Sequence, residues 1–252
     1  MKIRYYVLVA FLSGLSISAQ EYFPKNDGVK AENNNFTAFI NAKIHITPSR
    51  ILEKGTLLIQ EGKVIEVGKT VTLPKNTVVI DLNQKSIYPS FIDIYSSFGV
   101  DKPKAASGGR SAQYEPSREG FYWNDHIMPE NNAITKFKYD NKKAKELREA
   151  GFGVVNTHIQ DGIARGNGAL IALNDLGNNS DRILDDKSAQ YFSLTKSAAK
   201  RQAYPTSLMG TLALLRQMYY DADWYAQGNV GTKDLSLEAL NANKGLVQIF
   251  EA

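Results

Sequence analysis

The sequence predicts an α/β chain in two parts, an all-β unit over residues 36–88 and a parallel α/β unit over 89–252. Three observations predict it. Five short apolar or alternating runs crowd between Phe36 and Ile87, too close together for βαβ units. From Pro89 onward, apolar strands alternate with helical patterns, as in parallel sheets. The chain has 252 residues, 43% hydrophobic and 22% charged, enough to bury a core and too apolar for disorder.

Residues 1–20 read Met-Lys-Ile-Arg, an apolar run from Tyr5 to Leu15, then Ser-Ile-Ser-Ala-Gln. A basic start, a short apolar stretch and a small residue, Ala19, before the cut fit a secretory signal peptide over 1–19. The run is too short for a bilayer-spanning helix, which needs ~20 residues. No later stretch is long and apolar enough to span either. The mature chain is therefore expected to be secreted, in the periplasm or outside the cell. Residues 20–35 are polar, with Pro24, Gly28 and three consecutive asparagines from Asn33, and read as a leader.

The β runs are 37–41, 43–47, 56–60, 63–67 and 78–82. Glu61-Gly62 between two of them signals a tight hairpin, because Gly accepts positive φ. Five short strands suggest a small sandwich or half-barrel. Residues 91–95, Phe-Ile-Asp-Ile-Tyr, then read as a buried strand, and 99–135 as a long loop rich in Gly, Pro, Ser and aromatics. Asp140 is placed to cap a helix that Gly151 ends, with Ala144, Leu147 and Ala150 on one face. Residues 153–159 are a second buried strand, and 169–173 a short apolar segment in a loop or hairpin. Pro205 suits the first turn of a helix running to about Tyr225, with Leu208, Leu212 and Leu215 as its apolar stripe. Residues 235–241 suggest another helix and 246–250 a third strand.

Composition removes several kinds of chemistry. There is no cysteine, so disulfides, thiolate metal sites and cysteine nucleophiles are out. The three histidines, His45, His126 and His158, leave little for a histidine-rich metal centre. Residues 1–19 carry Lys2 and Arg4 and no acids, so without them the formal charge falls from +4 to +2. With acids and bases interspersed, that gives no case for nucleic acid. Gly68-Lys69-Thr70 resembles the end of a phosphate loop, but five residues rather than four separate Gly62 from Gly68, and no helix follows. Gly162, Gly166 and Gly168 lack the third glycine of a dinucleotide fingerprint and read as a backbone turn. Asp175, Asp181, Asp185 and Asp186 around Gly177 read as turn chemistry rather than a cation site.

Two features retain a functional reading. Tyr114, Phe121, Tyr122, Trp123 and His126 share the long loop, where aromatics can line a pocket or pin the loop. Asp93 and His158 sit on the two predicted parallel strands; His158, near a strand end, is placed for a barrel mouth, but the weight falls on a hydrogen-bonded structural histidine. The candidate pocket residues are thus Asp93, Tyr122, Trp123, His126 and His158.

A family resemblance runs through residues 39–97. Ile40-Asn41-Ala42-Lys43-Ile44, Gly55-Thr56-Leu57-Leu58-Ile59, Gly62-Lys63-Val64-Ile65-Glu66-Val67-Gly68, Val79-Ile80-Asp81-Leu82 and Pro89-Ser90-Phe91-Ile92-Asp93 occur in order. This resembles the N-terminal half of the amidohydrolase superfamily, in its imidazolonepropionase-like branch. Residues 122–130 and 204–210 look like a secreted bacterial subgroup. The resemblance implies a composite β-sandwich over 36–88 and the first part of a metal-dependent (β/α)8 TIM barrel over 89–252. In active relatives it implies zinc or another divalent metal that activates water against a non-peptide C–N bond.

The chain departs from that pattern where the metal would bind. The His-x-His pair that ends barrel strand 1 in active relatives corresponds here to Tyr95 and Ser97. A phenol and a hydroxyl are poor substitutes for imidazole at zinc. Pro89 to Ala252 spans 164 residues, against ~250 for a full barrel and ~200 as a lower limit. The expectation is a barrel portion truncated after about strand 3, with no catalytic residues, no metal site and no cofactor of its own. It would depend on the remainder of a longer chain or on a second amidohydrolase module. Two other readings stand beside this one. One is a periplasmic binding or scaffold module with a small-molecule ligand. The other is a hydrolase using the unusual ligands Asp93, His126 and His158.

Overall fold

The computed structural model describes residues 35–108, 112–114, 118–175, 178–228 and 231–251. The expected signal peptide and residues 20–34 of the leader lie outside the described residues. The chain divides into two compact units, one ending at Tyr88 and one beginning at Pro89.

The first unit is built on two eleven-residue strands, β1 (Thr37–Thr47) and β2 (Arg50–Gln60). With β3 (Lys63–Gly68), β4 (Val78–Asp81) and β5 (Ser86–Ile87) they form one sheet in the order β3-β2-β1-β4. β5 pairs with β1 beyond β4. The β2–β3 turn is the predicted hairpin, with Glu61 at φ 50° and Gly62 at φ 73°. The runs 37–41 and 43–47 are one strand, not two. The break between them is Asn41, at φ 54°, whose carbonyl accepts from the Gln84 N–H at 2.7 Å. The expected sandwich is therefore a single sheet among the described residues, because β1 is long enough to take β4 and β5 in succession. Ala38, Ala42, Ile44 and Leu58 are its buried apolar residues.

The second unit holds two parallel pairs. β6 (Phe91–Ser96) pairs with β7 (Phe152–Thr157), and β11 (Ala189–Ser193) with β12 (Val247–Glu251). β8 (Ala164–Asn167) adds antiparallel to β11, and β9 (Ala169–Ala172) antiparallel to β7. β10 (Ile183–Asp185) lies beyond β9. The sheet orders are β10-β9-β7-β6 and β12-β11-β8. Gly168 joins the two: its N–H donates to the Ala189 carbonyl at 2.9 Å, and a Cβ there would meet Tyr191 and Asn156 within 2.6 Å. Four strands thus stand in parallel pairs where three were expected. β11 was missed because its five residues include polar Gln190, although all five are buried.

The helices are α1 (Asn141–Glu149), α2 (Asn179–Arg182), α3 (Leu208–Ala226) and α4 (Leu235–Ala242). Asp140 caps α1 by accepting from the N–H groups of Lys142 and Lys143 at 2.9 and 3.1 Å. Gly151, at φ 95°, follows α1, and its carbonyl accepts from the Phe91 N–H. Pro205 precedes α3 instead of starting it; the cap is Ser207, which accepts from Gly210 N–H at 3.1 Å. The buried face of α3 is Thr211, Leu214, Leu215, Met218 and Ala222, while Leu208 and Leu212 are exposed. Apolar residues occur on more than one side of α3, so spacing alone does not select the inward face.

One core lies under α3 and α4, with Ile127, Ile163, Phe192, Leu214, Met218 and Leu240. The other lies between α1 and the β7–β9 sheet, with Phe98, Val155, Ile159, Ile171 and Leu173. Each such side chain contributes ~1.5–3 kcal/mol by leaving water. Part of the long loop is tied into the first core through bridges of Ile127 to Ala164 and Asn132 to Asn167. By contrast β6 and β12, at the ends of their sheets, expose Phe91, Ile92, Ile94, Val247 and Phe250.

Candidate functional site

Parallel α/β sheets place chemistry at the C-terminal ends of their strands. Here Tyr95 near the end of β6, His158 just after β7 and Glu251 at the end of β12 meet Tyr191 from the middle of β11, with Arg165 from β8 at the centre. The Arg165 guanidinium is buried, and each of its three nitrogens donates a hydrogen bond. Nη1 donates to the Tyr95 phenol at 2.6 Å, Nη2 to the Glu251 carboxylate at 2.6 Å and Nε to the Gly162 carbonyl at 3.1 Å. His158 lies flat on Tyr191, with ring centroids 3.7 Å apart, and edge-on to Tyr95 at 4.6 Å. The Tyr191 phenol donates to the Ile94 carbonyl at 2.6 Å.

The electrostatics follow from burial around one fixed cation. Burial, then the Arg165 charge, pushes the His158 imidazole down to about 3, so it is neutral. Neither of its ring nitrogens has a hydrogen-bond partner among the described residues. Burial, then Asp93, holds the Tyr191 phenol above its usual range. Tyr95 is raised too, by burial first and then by the Glu251 carboxylate. Burial acts against the Glu251 charge, but hydrogen bonding from Tyr95 and Ser193 and the Arg165 cation outweigh it, and its pKa is lowered. The cluster therefore holds a guanidinium–carboxylate pair, two neutral phenols and a neutral imidazole.

These residues do not fit a metal. Tyr95 spends its oxygen on Arg165, and Arg165 already supplies positive charge beside it. Ser97 lines another space, a cleft of about 580 Å³ shared with Lys102, Lys138 and Asp140. Among the described residues, no group of three or more His, Asp or Glu side chains is placed to share a metal. The ligand set Asp93, His126 and His158 is accordingly not assembled.

The other candidates have separate surroundings. Asp93 accepts from the Tyr95 N–H at 3.0 Å, a local contact within β6. His126 is a buried brace. Its Nδ1 accepts from the Ser197 N–H at 3.2 Å and its Nε2 faces the Gln202 carbonyl at 2.9 Å, so the proton sits on Nε2. Burial lowers its pKa. Asp161 completes this brace, accepting from the Ser197 hydroxyl and from the Ala198 N–H at 2.7 Å. Tyr122 and Trp123 line a cleft of their own, of about 420 Å³. The Tyr122 phenol donates to Asp221 at 2.6 Å, and Trp123 stacks with Tyr204 at 6.0 Å. Of the aspartates around Gly177, Asp181 shares a capping box with Asn178 and Asp185 accepts from the Lys187 N–H, as turns require.

Arg165, Tyr191 and Glu251 were not singled out from the sequence. The available signal was one arginine inside the otherwise uncharged run 162–168, where a charge among glycines and buried apolar residues demands a partner.

No protein-family model matches the chain, and no curated protein does. Among solved structures, an amidohydrolase from Thermotoga maritima MSB8 is similar, with a TM-score of 0.63 at 21% identity over 86% of this chain. A second amidohydrolase structure aligns over 49% of this chain and 25% of its own, at 19% identity and a TM-score of 0.28, too low to carry weight. The first likeness shows an amidohydrolase fold. The chain spans 58% of the length of that structure. No described helix is long and apolar enough to cross a membrane.

Proposed function

We propose that this chain is the N-terminal portion of a secreted, imidazolonepropionase-like amidohydrolase module with a degenerate metal motif. It serves a larger hydrolase as a non-catalytic part. The observation that carries this is the Tyr95–Arg165–Glu251 cluster, which fills the mouth with an internal cation and leaves no ligand set for a metal. The amidohydrolase fold supports the family, and the run of phrases through residues 39–97 supports the branch. On this reading residues 1–19 are removed, 20–35 are a leader, 36–88 form the composite β domain and 89–252 the barrel portion. The exposed apolar residues of β6 and β12 support a partner, either further β/α units of a longer chain or a second amidohydrolase module.

The test is hydrolysis of a panel of lactams, cyclic imides and N-acyl amides, with added zinc or cobalt and with a chelator. The expected result is no chelator-sensitive turnover by this chain. Metal-dependent turnover that survives purification and is lost in His158→Ala would overturn the proposal.

The second reading, a ligand-binding module, is favoured by one observation, the aromatic cleft lined by Tyr122 and Trp123.

A further inference from the structure

Both tryptophans of the chain, Trp123 and Trp224, line the 420 Å³ cleft of the second unit. Phe121 and Tyr122 complete an aromatic wall, and the volume lies within the ~300–1,000 Å³ range of small-molecule sites. Its charges are unbalanced. Among the described residues its one lining cation is Arg118, whose direct contacts lie elsewhere: it pairs with Glu130, donates to the Ile127 carbonyl at 2.7 Å and lies 4.8 Å over Phe121.

The lining acids Asp221 and Asp234 make no ion pair among the described residues. Among the described residues Asp221 accepts from neutral donors, the Tyr122 phenol and the Gln217 amide, each at 2.6 Å. Asp234 accepts from the Ser236 and Leu237 N–H groups that open α4, at 2.9 and 3.0 Å. The neighbouring lysines are taken, Lys233 by Glu238 and Lys244 by Asp223. Neither Asp221 nor Asp234 has a cation within ion-pair distance among the described residues, and Glu119 adds a further negative charge. Burial raises the Asp234 pKa, against the Leu237 and Ser236 N–H groups and the more distant Arg118 charge, which lower it.

Aromatic faces beside carboxylates that have no ion pair attract an organic cation: the ring quadrupoles and the carboxylates both favour positive charge, and the rings accept its methyl or methylene groups. We propose that this cleft binds a small organic ammonium, with Trp123 and Trp224 contacting its alkyl groups and Asp221 and Asp234 supplying the counter-charge. A metal ion would not need the rings, and an uncharged aromatic would not need the acids. The proposal is independent of the barrel mouth, so a zinc-loaded chain would leave it standing.

Because both tryptophans belong to the cleft, intrinsic tryptophan emission reports on it directly. The experiment titrates the mature chain with choline and, in parallel, with its uncharged isostere 3,3-dimethylbutan-1-ol. Choline is expected to change the emission saturably and to bind at least about fivefold more tightly than the isostere. The double variant Asp221→Asn with Asp234→Asn should remove most of that preference. Asn caps a helix as well as Asp, so α4 is retained, which circular dichroism checks. Equal responses to the two ligands, an emission change that never saturates, or a folded double variant that keeps the preference would each overturn the proposal. The comparison of choline with the alcohol on the parent chain decides the matter even where the variant fails to fold.

Discussion

Replacing Arg165 with Met keeps most of the buried stem and removes the guanidinium. Three hydrogen bonds go with it, to Tyr95, Gly162 and Glu251. Two effects then compete. Burying a cation costs several kcal/mol, and its removal returns part of that. Against this, the Tyr95 phenol and the Gly162 carbonyl lose their donor, at ~1–3 kcal/mol for each group left unsatisfied. The Glu251 side chain is 42% exposed, so water takes over its solvation and no buried charge is stranded. The balance is a loss of about 2–3 kcal/mol. For a domain of this size that lowers Tm by about 4–12 °C. Thermal unfolding followed by circular dichroism measures it. A double-mutant cycle with Glu251→Gln should give a coupling of about 1 kcal/mol. Because the Arg165 charge helps to depress His158, its removal should also raise the His158 pKa from about 3, read by NMR titration of the ring. An Arg165→Met chain as stable as the parent, with negligible coupling and an unmoved His158, would refute a charge cluster organised by Arg165.

The remaining predictions concern protonation and backbone. His158 titrates near 3 when folded and near 6.5 when unfolded, so the unfolded chain binds more protons between those values. Its contribution to stability is complete above about pH 6.5 and falls by up to ~1.4 kcal/mol per unit as the pH drops through that window. His158→Phe should flatten the slope between pH 4.5 and 7 in urea unfolding, the depressed His126 leaving a residue of it. An unchanged slope would mean that the imidazole is hydrated. Gly166 sits at φ 88° with the Asn131 carbonyl against the place of a Cβ, so Gly166→Ala should cost about 2–4 kcal/mol. Gly245→Ala, with no atom within 4 Å of its Cβ, should stay within about 0.5 kcal/mol of the parent. Urea midpoints compare the two, and similar values would contradict the crowding at Gly166.

Local signals in the sequence were read correctly where the physics is local. Glu61-Gly62 turns through two positive φ values, and Asp140 caps α1 through N–H groups two and three residues away. Distant pairings were invisible. Gln190 hid β11 because a polar residue interrupts the apolar run, and its buried amide is met by Asn243, 53 residues on. Arg165 looked like a turn residue because Tyr95 and Glu251 lie 70 and 86 residues away. His126 could be read as lining a pocket or as pinning the loop, and its partners Ser197 and Gln202, which hold it as a brace, lie 71 and 76 residues away. The face of α3 was misread because Leu208 and Leu212 are as apolar as the buried Leu214 and Leu215, and only packing against the sheet distinguishes them.

The central proposal is that Arg165 supplies the positive charge where β6, β8 and β12 meet and that no metal does. Its most direct test is metal analysis of the mature chain, incubated with excess zinc, dialysed and measured by mass spectrometry. The account predicts far less than stoichiometric zinc, with the Tyr95 and His158 ring signals unshifted by the treatment. One zinc retained per chain, lost in Tyr95→Phe or His158→Ala, would contradict it.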